Sequence, residues 1–206
     1  MKPDHPITQS PNSSLLPAVF VDRDGTLNAM VYDEVHGLLD SPRKPEQVML
    51  MPGAGAFLKG VRELGYRIVV VTNQPGMAKG TLSAEDLQAV NQRLSDLLAA
   101  QGGAWDDLRV CTHHSRSGPP CDCRKPKPGM LLRAAEEQHL DLKKSWMVGD
   151  GLVDVQAGRA AGCRAILLAK VKIQEIERFI SMEGAEPDFL AAGLDEALQI
   201  IRKGMA

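Results

Sequence analysis

The sequence predicts an α/β fold with a doubly wound, mostly parallel sheet. Three observations predict this class: short aliphatic runs recur along the chain, segments with helical spacing lie between them, and Gly or Pro residues stand at several junctions. Strands that alternate with helices are typical of βαβ units, in which a helix connects two parallel strands.

Each strand is predicted from a short apolar run, and each helix from apolar residues three or four positions apart. The strands are expected at residues 18–21, 66–71, 108–111, 146–148, 165–168 and 189–190. The helices are expected at 52–64, 83–97, 128–138 and 153–161, from about residue 173, and at 194–202. Gly65 and Gly162 suit helix C-termini, Ser83 suits an N-cap, and Pro128 suits the first turn of a helix.

Composition argues against several classes of function. The formal net charge is −2 and the pI is near 6.2, whereas a general nucleic-acid-binding protein would carry a basic excess. No apolar run is long enough to cross a bilayer. Residues 1–15 resemble a disordered leader without the features of a secretion signal, and 16–206 are expected to form a single domain. We therefore expect a cytoplasmic monomer that binds neither membranes nor nucleic acid, with reduced cysteines.

Polar residues directly follow three of the predicted strands: Asp22, Thr72 and Asp150. Because open α/β sheets bind ligands at the carboxyl ends of their strands, these side chains are expected to converge on one edge. Asp22 also forms a D-x-D pair with Asp24. Two close carboxylates suit a hard cation, although a solvated acidic turn would show the same pattern.

Three further motifs allow both a functional and an ordinary interpretation. The Thr72 hydroxyl and the N–H groups of VVVTNQPG suit a phosphate oxygen, but Thr-Asn is also common in turns. In CRKPKPG, Arg124 and Lys125 are either placed to neutralise a phosphoryl group or part of a solvated basic loop. Asp154, in GDGLVD, also favours the dipole of the helix that it begins.

The segment CTHHSRSGPPCDC carries three of the four cysteines. Its C-x-H and C-x-C pairs supply four ligands for a structural zinc ion: Cys111, His113, Cys121 and Cys123. A disulfide bond is the competing interpretation, and His114 is the alternative to His113 as a ligand. Cys163 is expected to be a buried core thiol.

Taken in order, DRDGT, a strand that ends in Thr, a Lys before a helix, and GDxxxD resemble the haloacid dehalogenase (HAD) phosphatase superfamily over residues 18–168. The resemblance implies a Rossmann-like sheet. It implies that Asp22 is the nucleophile, which forms an aspartyl-phosphate, and that Asp24 is the general acid and then the base. The other implied roles are Mg²⁺ binding by Asp22, Asp150 and the backbone carbonyl of Asp24, phosphoryl binding by Thr72 and Lys125, and support of the metal or the lysine by Asp154.

DRDGTLN, the cysteine loop and CRKPxPGM together are similar to a narrower group, the D-glycero-D-manno-heptose 1,7-bisphosphate 7-phosphatases, followed by the histidinol-phosphate phosphatases. Those enzymes lack a large cap domain, and no segment between the motifs of this chain is long enough for one. The substrate-binding residues implied are Asn28, Thr72, Asn73, Gln74, Arg124 and Lys125. The chain departs from the group at Pro75, Lys79 and Gly151, and its 30–48 stretch is longer.

The preferred hypothesis is a Mg²⁺-dependent, zinc-containing phosphatase that removes the 7-phosphate of heptose 1,7-bisphosphate. Its partner would thus be a small phosphorylated sugar or a related metabolite. A histidinol-phosphate phosphatase or another small sugar-phosphate phosphatase is the alternative. A polynucleotide 3′-phosphatase would need a basic face that the composition does not show. A binding module built on the cysteine loop would have no use for both a nucleophile and its acid partner.

Overall fold

The computed structural model describes residues 15–34, 37–114, 120–169 and 185–204. The strands are β1 (Ala18–Val21), β2 (Val31–Asp33), β3 (Leu38–Asp40), β4 (Arg67–Asn73), β5 (Asp107–Cys111), β6 (Trp146–Gly149), β7 (Arg164–Leu168) and β8 (Phe189–Ala191). The helices are α1 (Ala54–Glu63), α2 (Ala84–Ala99), α3 (Gly129–Gln138), α4 (Leu152–Ala161) and α5 (Leu194–Lys203), and short 3₁₀ turns lie at Pro45–Gln47 and Leu142–Lys144.

Six of these strands form one sheet in the order β5-β4-β1-β6-β7-β8, and every neighbouring pair in it is parallel. The first strand, β1, lies in the middle of the sheet. The chain continues outwards through β4 to β5 and then returns to β6 on the other side of β1. This reversal is the topological switch point of a doubly wound sheet, beside which ligands bind. The predicted fold class is confirmed.

Alternating side chains of β1 belong to two different hydrophobic clusters, which is why this strand is apolar throughout. Val19 and Val21 pack in a cluster with residues of α1, α2 and α5. Ala18 and Phe20 pack in a second cluster with residues of α3 and α4. Both faces of the sheet are therefore covered, and all four β1 residues are fully buried.

Predicted and observed elements differ mainly between β1 and α1. The structure contains an antiparallel hairpin of β2 and β3 there, which the sequence did not reveal. Its two strands have three residues each, all of them exposed or half-buried, so they lack the alternation that marks a strand. The second predicted strand is also wrong at its end: β4 continues to Asn73, and Thr72 lies within it rather than after it.

Two expectations fall outside the described residues: the disordered leader, apart from Leu15, and the helix from about residue 173. The expectation that residues 16–206 form one domain stays a prediction. In the described part of the chain, no helix combines the length and the apolar character needed to cross a bilayer.

The contact between α4 and β6 generates a stability prediction. A Cβ atom on Gly158 would overlap Cβ of Met147, which belongs to β6 and cannot move without the strand. Gly158→Ala should therefore lower the free energy of unfolding by about 1–3 kcal/mol, the usual cost of overpacking. Chemical denaturation measures this change.

Gly60→Ala in α1 is the matched control, because it brings the same gain in helix propensity. There the added methyl group meets the end of the flexible Leu198 side chain. We expect the control to cost less than Gly158→Ala, and equal costs would contradict the packing argument.

Candidate active site and candidate zinc centre

The carboxyl ends of three adjacent strands bring the predicted acidic and hydroxyl side chains together. Asp22 follows β1, Thr72 is the last but one residue of β4, and Asp150 follows β6. Because β4, β1 and β6 are neighbours in the sheet, residues from three distant parts of the sequence meet at one edge. The prediction of this convergence is confirmed by the strand order.

A tight turn after β1 allows the loop to approach Asp150. Gly25 has a φ of +89°, a left-handed conformation that favours glycine. A Cβ atom at this position would also overlap the Asp150 carboxylate. Gly25 therefore meets two requirements at once, the backbone angle and the space for a carboxylate.

Lys125 joins two of the acidic residues at the centre of the site. Its Nζ lies 2.5 Å from Oδ1 of Asp22 and 2.7 Å from Oδ1 of Asp154, and it donates to the carbonyl oxygen of Val71 at 2.7 Å. Only 3 % of Lys125 is exposed. Burial alone would lower the pKa of Lys125, but the charges of Asp154 and Asp22 raise it above its usual value, so the lysine carries its charge.

The carboxylates of Asp22, Asp150 and Asp154 offer ligand atoms that all lie within 4.8 Å of one another. Burial raises the pKa of Asp22 to about 8, the nearby charges of Asp154 and Asp24 add to the rise, and Lys125 opposes it. A divalent cation would reverse this shift, because it favours the ionised carboxylate. Three carboxylates lie together here, and the single positive charge of Lys125 does not balance their negative charge. The cluster thus fits a hard cation such as Mg²⁺.

Asp24 points elsewhere, although it lies only two residues from Asp22. Its carboxylate is outside the cluster of Asp22, Asp150 and Asp154. Any ligand from Asp24 to the same cation would therefore come from its backbone carbonyl, as the family resemblance implies. The acidic residue that completes the cluster is Asp154, whose Oδ2 also accepts the N–H of Gly151 at 3.1 Å.

Six donor atoms surround the Asp24 carboxylate. Oδ1 accepts from Arg23 Nε at 3.1 Å and from Asn28 Nδ2 at 3.0 Å. Oδ2 accepts from Arg23 Nη2 at 2.9 Å, Ser41 Oγ at 3.0 Å, Gln74 Nε2 at 2.6 Å and Thr72 Oγ1 at 3.5 Å. Burial would raise the pKa of Asp24, but the charge and hydrogen bonds of Arg23 and the bonds from Asn28 and Ser41 hold it below its usual value.

Two of these donors, Arg23 and Ser41, were not predicted from the sequence. Arg23 stands in the middle of the D-x-D pair. Its signal was a basic residue two positions after a wholly apolar strand, where burial requires an acidic partner. Ser41 follows β3, in the hairpin segment whose structure was not predicted, and nothing in its neighbourhood marks it.

The predicted substrate-binding residues make bonds within the protein. Asn73 holds the backbone of Lys125, since its Nδ2 donates to the Lys125 carbonyl and its Oδ1 accepts the Lys125 N–H, both at 3.1 Å. Gln74 donates to Thr72 Oγ1 at 2.8 Å and to Asp24. Arg124 donates to the carbonyl of His113 at 3.1 Å. These bonds fix the positions of the side chains around the site.

Three thiols and one imidazole form a second cluster at the end of β5. Cys111, His113, Cys121 and Cys123 place their donor atoms within 4.8 Å of one another, and His113 rather than His114 belongs to this set. Sγ of Cys123 lies 3.1 Å from Sγ of Cys111 and 3.3 Å from Nδ1 of His113. Four soft donors at such separations fit a tetrahedral zinc ion.

The four cysteines of the sequence are free thiols. In this cluster Sγ of Cys111 lies 3.1 Å from Sγ of Cys123 and 3.9 Å from Sγ of Cys121, well beyond the length of a disulfide bond. Burial, followed by the hydrogen bond with Cys123, raises the pKa of Cys111 to about 12. Zinc would deprotonate such a thiol. Cys163 lies outside the cluster, and burial raises its pKa to about 12 as well, as befits a core thiol.

The comparisons with known proteins identify the family. A family model described as haloacid dehalogenase-like hydrolase matches residues 31–162. The chain belongs to the haloacid dehalogenase-like hydrolase family. This confirms the family predicted from the motifs and the prediction of an enzyme.

Within this family, the chain is similar to phosphatases that act on a heptose bisphosphate. It is 36% identical over 151 residues, 71% of this chain and 79% of the relative, to a D-glycero-beta-D-manno-heptose-1,7-bisphosphate 7-phosphatase of Rhodopseudomonas palustris. It is 34% identical over 160 residues, 75% of this chain and 80% of the relative, to the Escherichia coli enzyme of the same name. These phosphatases confirm the prediction that the hydrolase acts on phosphoric monoesters.

A solved structure supports the same grouping. The D,D-heptose 1,7-bisphosphate phosphatase of B. bronchiseptica, complexed with magnesium and phosphate, superposes with a TM-score of 0.74 at 26% identity. The match covers 91% of this hydrolase and 99% of that chain. The two chains therefore share nearly their whole length as well as the fold.

The four-ligand cluster generates a metal prediction. The purified protein should hold about one zinc ion per chain, as expected for a closed Cys₃His site. Cys123→Ser should lose most of this zinc and unfold at a lower temperature, because the metal ties the loop to β5. Elemental analysis and thermal unfolding measure the two effects.

Cys163→Ala is the control, since Cys163 lies outside the cluster and its replacement should leave the zinc content unchanged. An unaltered protein without zinc would contradict the prediction, as would a Cys123→Ser variant that keeps it.

Proposed function

We propose that this protein is a Mg²⁺-dependent phosphatase that removes the 7-phosphate from D-glycero-β-D-manno-heptose 1,7-bisphosphate through an aspartyl-phosphate on Asp22. The observation that carries the proposal is the contact of 2.5 Å between Asp22 and the buried Lys125 at the carboxyl edge of the sheet. The names of the relatives at 34–38% identity favour the heptose substrate and its β anomer.

Asp22 would perform the first half of the reaction. Its carboxylate oxygen attacks the phosphorus, the bond between phosphorus and the sugar oxygen breaks, and Asp24 gives its proton to that oxygen. Lys125 contacts Asp22 directly, so its charge would offset the negative charge that collects on the phosphoryl group. Thr72 lies at the same edge of the sheet, and its hydroxyl would donate a hydrogen bond to a phosphoryl oxygen.

Water would complete the second half. Asp24, now ionised, takes a proton from water, which attacks the phosphorus of the aspartyl-phosphate and releases inorganic phosphate and Asp22. Mg²⁺ bound among Asp22, Asp150 and the Asp24 carbonyl would supply further charge neutralisation to the phosphoryl oxygens. Asp154 would hold Lys125 in place through its contact of 2.7 Å.

The rest of the sugar would lie towards the β2–β3 hairpin. A cavity of about 260 Å³ is lined there by hydroxyl, carboxylate and guanidinium groups, among them Tyr32, Asp33, Ser41 and Arg43. Ser41 also donates to Asp24, so the cavity begins beside the residue that would protonate the departing sugar oxygen. The hydroxyl, carboxylate and guanidinium groups of the lining would suit a ligand with many hydroxyl groups.

Replacement of the nucleophile tests the mechanism. Asp22→Asn should reduce the release of phosphate by roughly 10⁴-fold or more, the scale of losing a covalent nucleophile. The fold should persist, since the amide has the shape of the carboxylate and Asp154 remains as an ionic partner of Lys125. Circular dichroism checks this. Glu63→Gln, an exposed change on α1, is the control and should retain full activity. Near-normal turnover by Asp22→Asn would disprove the nucleophile assignment.

A substrate panel tests the specificity. The β anomer of heptose 1,7-bisphosphate should show the highest kcat/KM, above the α anomer, histidinol phosphate and fructose 1,6-bisphosphate. All of these reactions should stop when Mg²⁺ is removed by dialysis without a chelator, which leaves the zinc in place, and resume when Mg²⁺ is added. A higher kcat/KM for histidinol phosphate would favour the alternative substrate class while leaving the mechanism in place.

A further inference from the structure

Arg23 is a fully buried arginine at the centre of a chain of hydrogen bonds. Its Nε donates to Oδ1 of Asp24 at 3.1 Å and its Nη2 donates to Oδ2 at 2.9 Å, a bidentate contact. Its Nη1 donates to Oδ1 of Asn91, in the middle of α2, at 2.6 Å. Burying a guanidinium group is costly unless its donors are satisfied, and here one carboxylate and one amide satisfy them.

The bidentate contact fixes both the place and the direction of the Asp24 carboxylate. A planar guanidinium that binds both oxygens restricts the rotation of the carboxylate as well as its position. Asn91 in turn restricts the Arg23 guanidinium on the side away from Asp24, because its Oδ1 binds Nη1 and so ties the group to helix α2. The Asp24 carboxylate is thereby kept outside the cluster of Asp22, Asp150 and Asp154.

We propose that Asn91 and Arg23 form a positioning chain from α2 to Asp24, which aims the carboxylate of Asp24 at the leaving oxygen of the substrate. The proposal rests on the proposed function, in which Asp24 transfers the proton. Neither Arg23 nor Asn91 touches the reacting atoms. Both act through Asp24 and are positioning residues.

Asn91 is the better position for a test. Arg23 is wholly buried and packs inside the fold, so its removal endangers folding, whereas Asn91 is only half-buried on α2. Asn91→Ala removes the acceptor of Arg23 Nη1. Asn91→Asp keeps an oxygen at the same place. Gln92→Ala is the matched control, since the Gln92 amide is the next on the helix and binds only Asp96 among the bonds described, at 2.8 Å.

The measurement is ester cleavage in a single turnover with enzyme in excess, which follows only the first half of the reaction. Two esters are compared, the heptose bisphosphate, whose sugar oxygen needs a proton to leave, and p-nitrophenyl phosphate, whose phenolate leaves without one. Asn91→Ala should slow cleavage of the sugar ester by about 10-fold, a fraction of the usual effect of general acid catalysis. Cleavage of the nitrophenyl ester should change by less than about 2-fold, because it does not need the acid.

Asn91→Asp and Gln92→Ala should cleave both esters at close to the unaltered rate. A crystal structure of Asn91→Ala should show the Arg23 guanidinium and the Asp24 carboxylate displaced. If Asn91→Ala slowed the cleavage of both esters equally, Asn91 would serve only the fold and the positioning role would be wrong. If it slowed the cleavage of neither ester, the positioning role would also be wrong. An unaltered protein that cleaves no phosphate ester would instead refute the proposed function.

Discussion

The charge of Lys125 depends on two carboxylates, and its contacts connect the end of β1, strand β4 and helix α4. A buried ammonium group is unstable without close ionic partners, and its partners are Asp22 at the end of β1 and Asp154 at the start of α4. A third contact, to the carbonyl of Val71, connects it to β4. Correct placement of this one side chain therefore requires the strand order of the sheet, the turn after β1 and the helix after β6 together.

The cysteine cluster bears on the same side chain through a short stretch of backbone. Cys123 is separated from Lys125 only by Arg124, whose guanidinium binds back to the carbonyl of His113. On the other side, Asn73 holds both the N–H and the carbonyl of Lys125. The described residues between β5 and α3 form no strand. These side-chain bonds and a metal ion would therefore position Lys125, in place of the strand hydrogen bonds that position Asp22 and Asp150.

The sequence predicts site residues where they follow a recognisable strand or have a distinctive spacing. Asp22 and Asp150 were predicted because apolar strands end visibly, and the cysteine ligands because their spacing is distinctive. The β2–β3 hairpin was missed because its short, exposed strands carry no alternation, and with it Ser41 was missed as a partner of Asp24. Arg23 and Asn91 meet only after α2 has packed on the sheet, 68 positions apart in the sequence, and no local pattern encodes that contact.

Asp22 and Asp24 show how two identical side chains, two residues apart, acquire opposite properties. The protein groups around Asp22 raise its pKa, with burial as the largest cause, whereas the groups around Asp24, Arg23 above all, overcome burial and lower its pKa. The proposed reaction needs the reverse order, an ionised Asp22 and a protonated Asp24. A divalent cation at the carboxylate cluster favours ionised Asp22. A phosphate dianion arriving at the edge disfavours negative charge on Asp24 and thus raises its pKa. A cation and a substrate bound together would therefore favour an ionised Asp22 and a protonated Asp24, the two states that the proposed reaction needs.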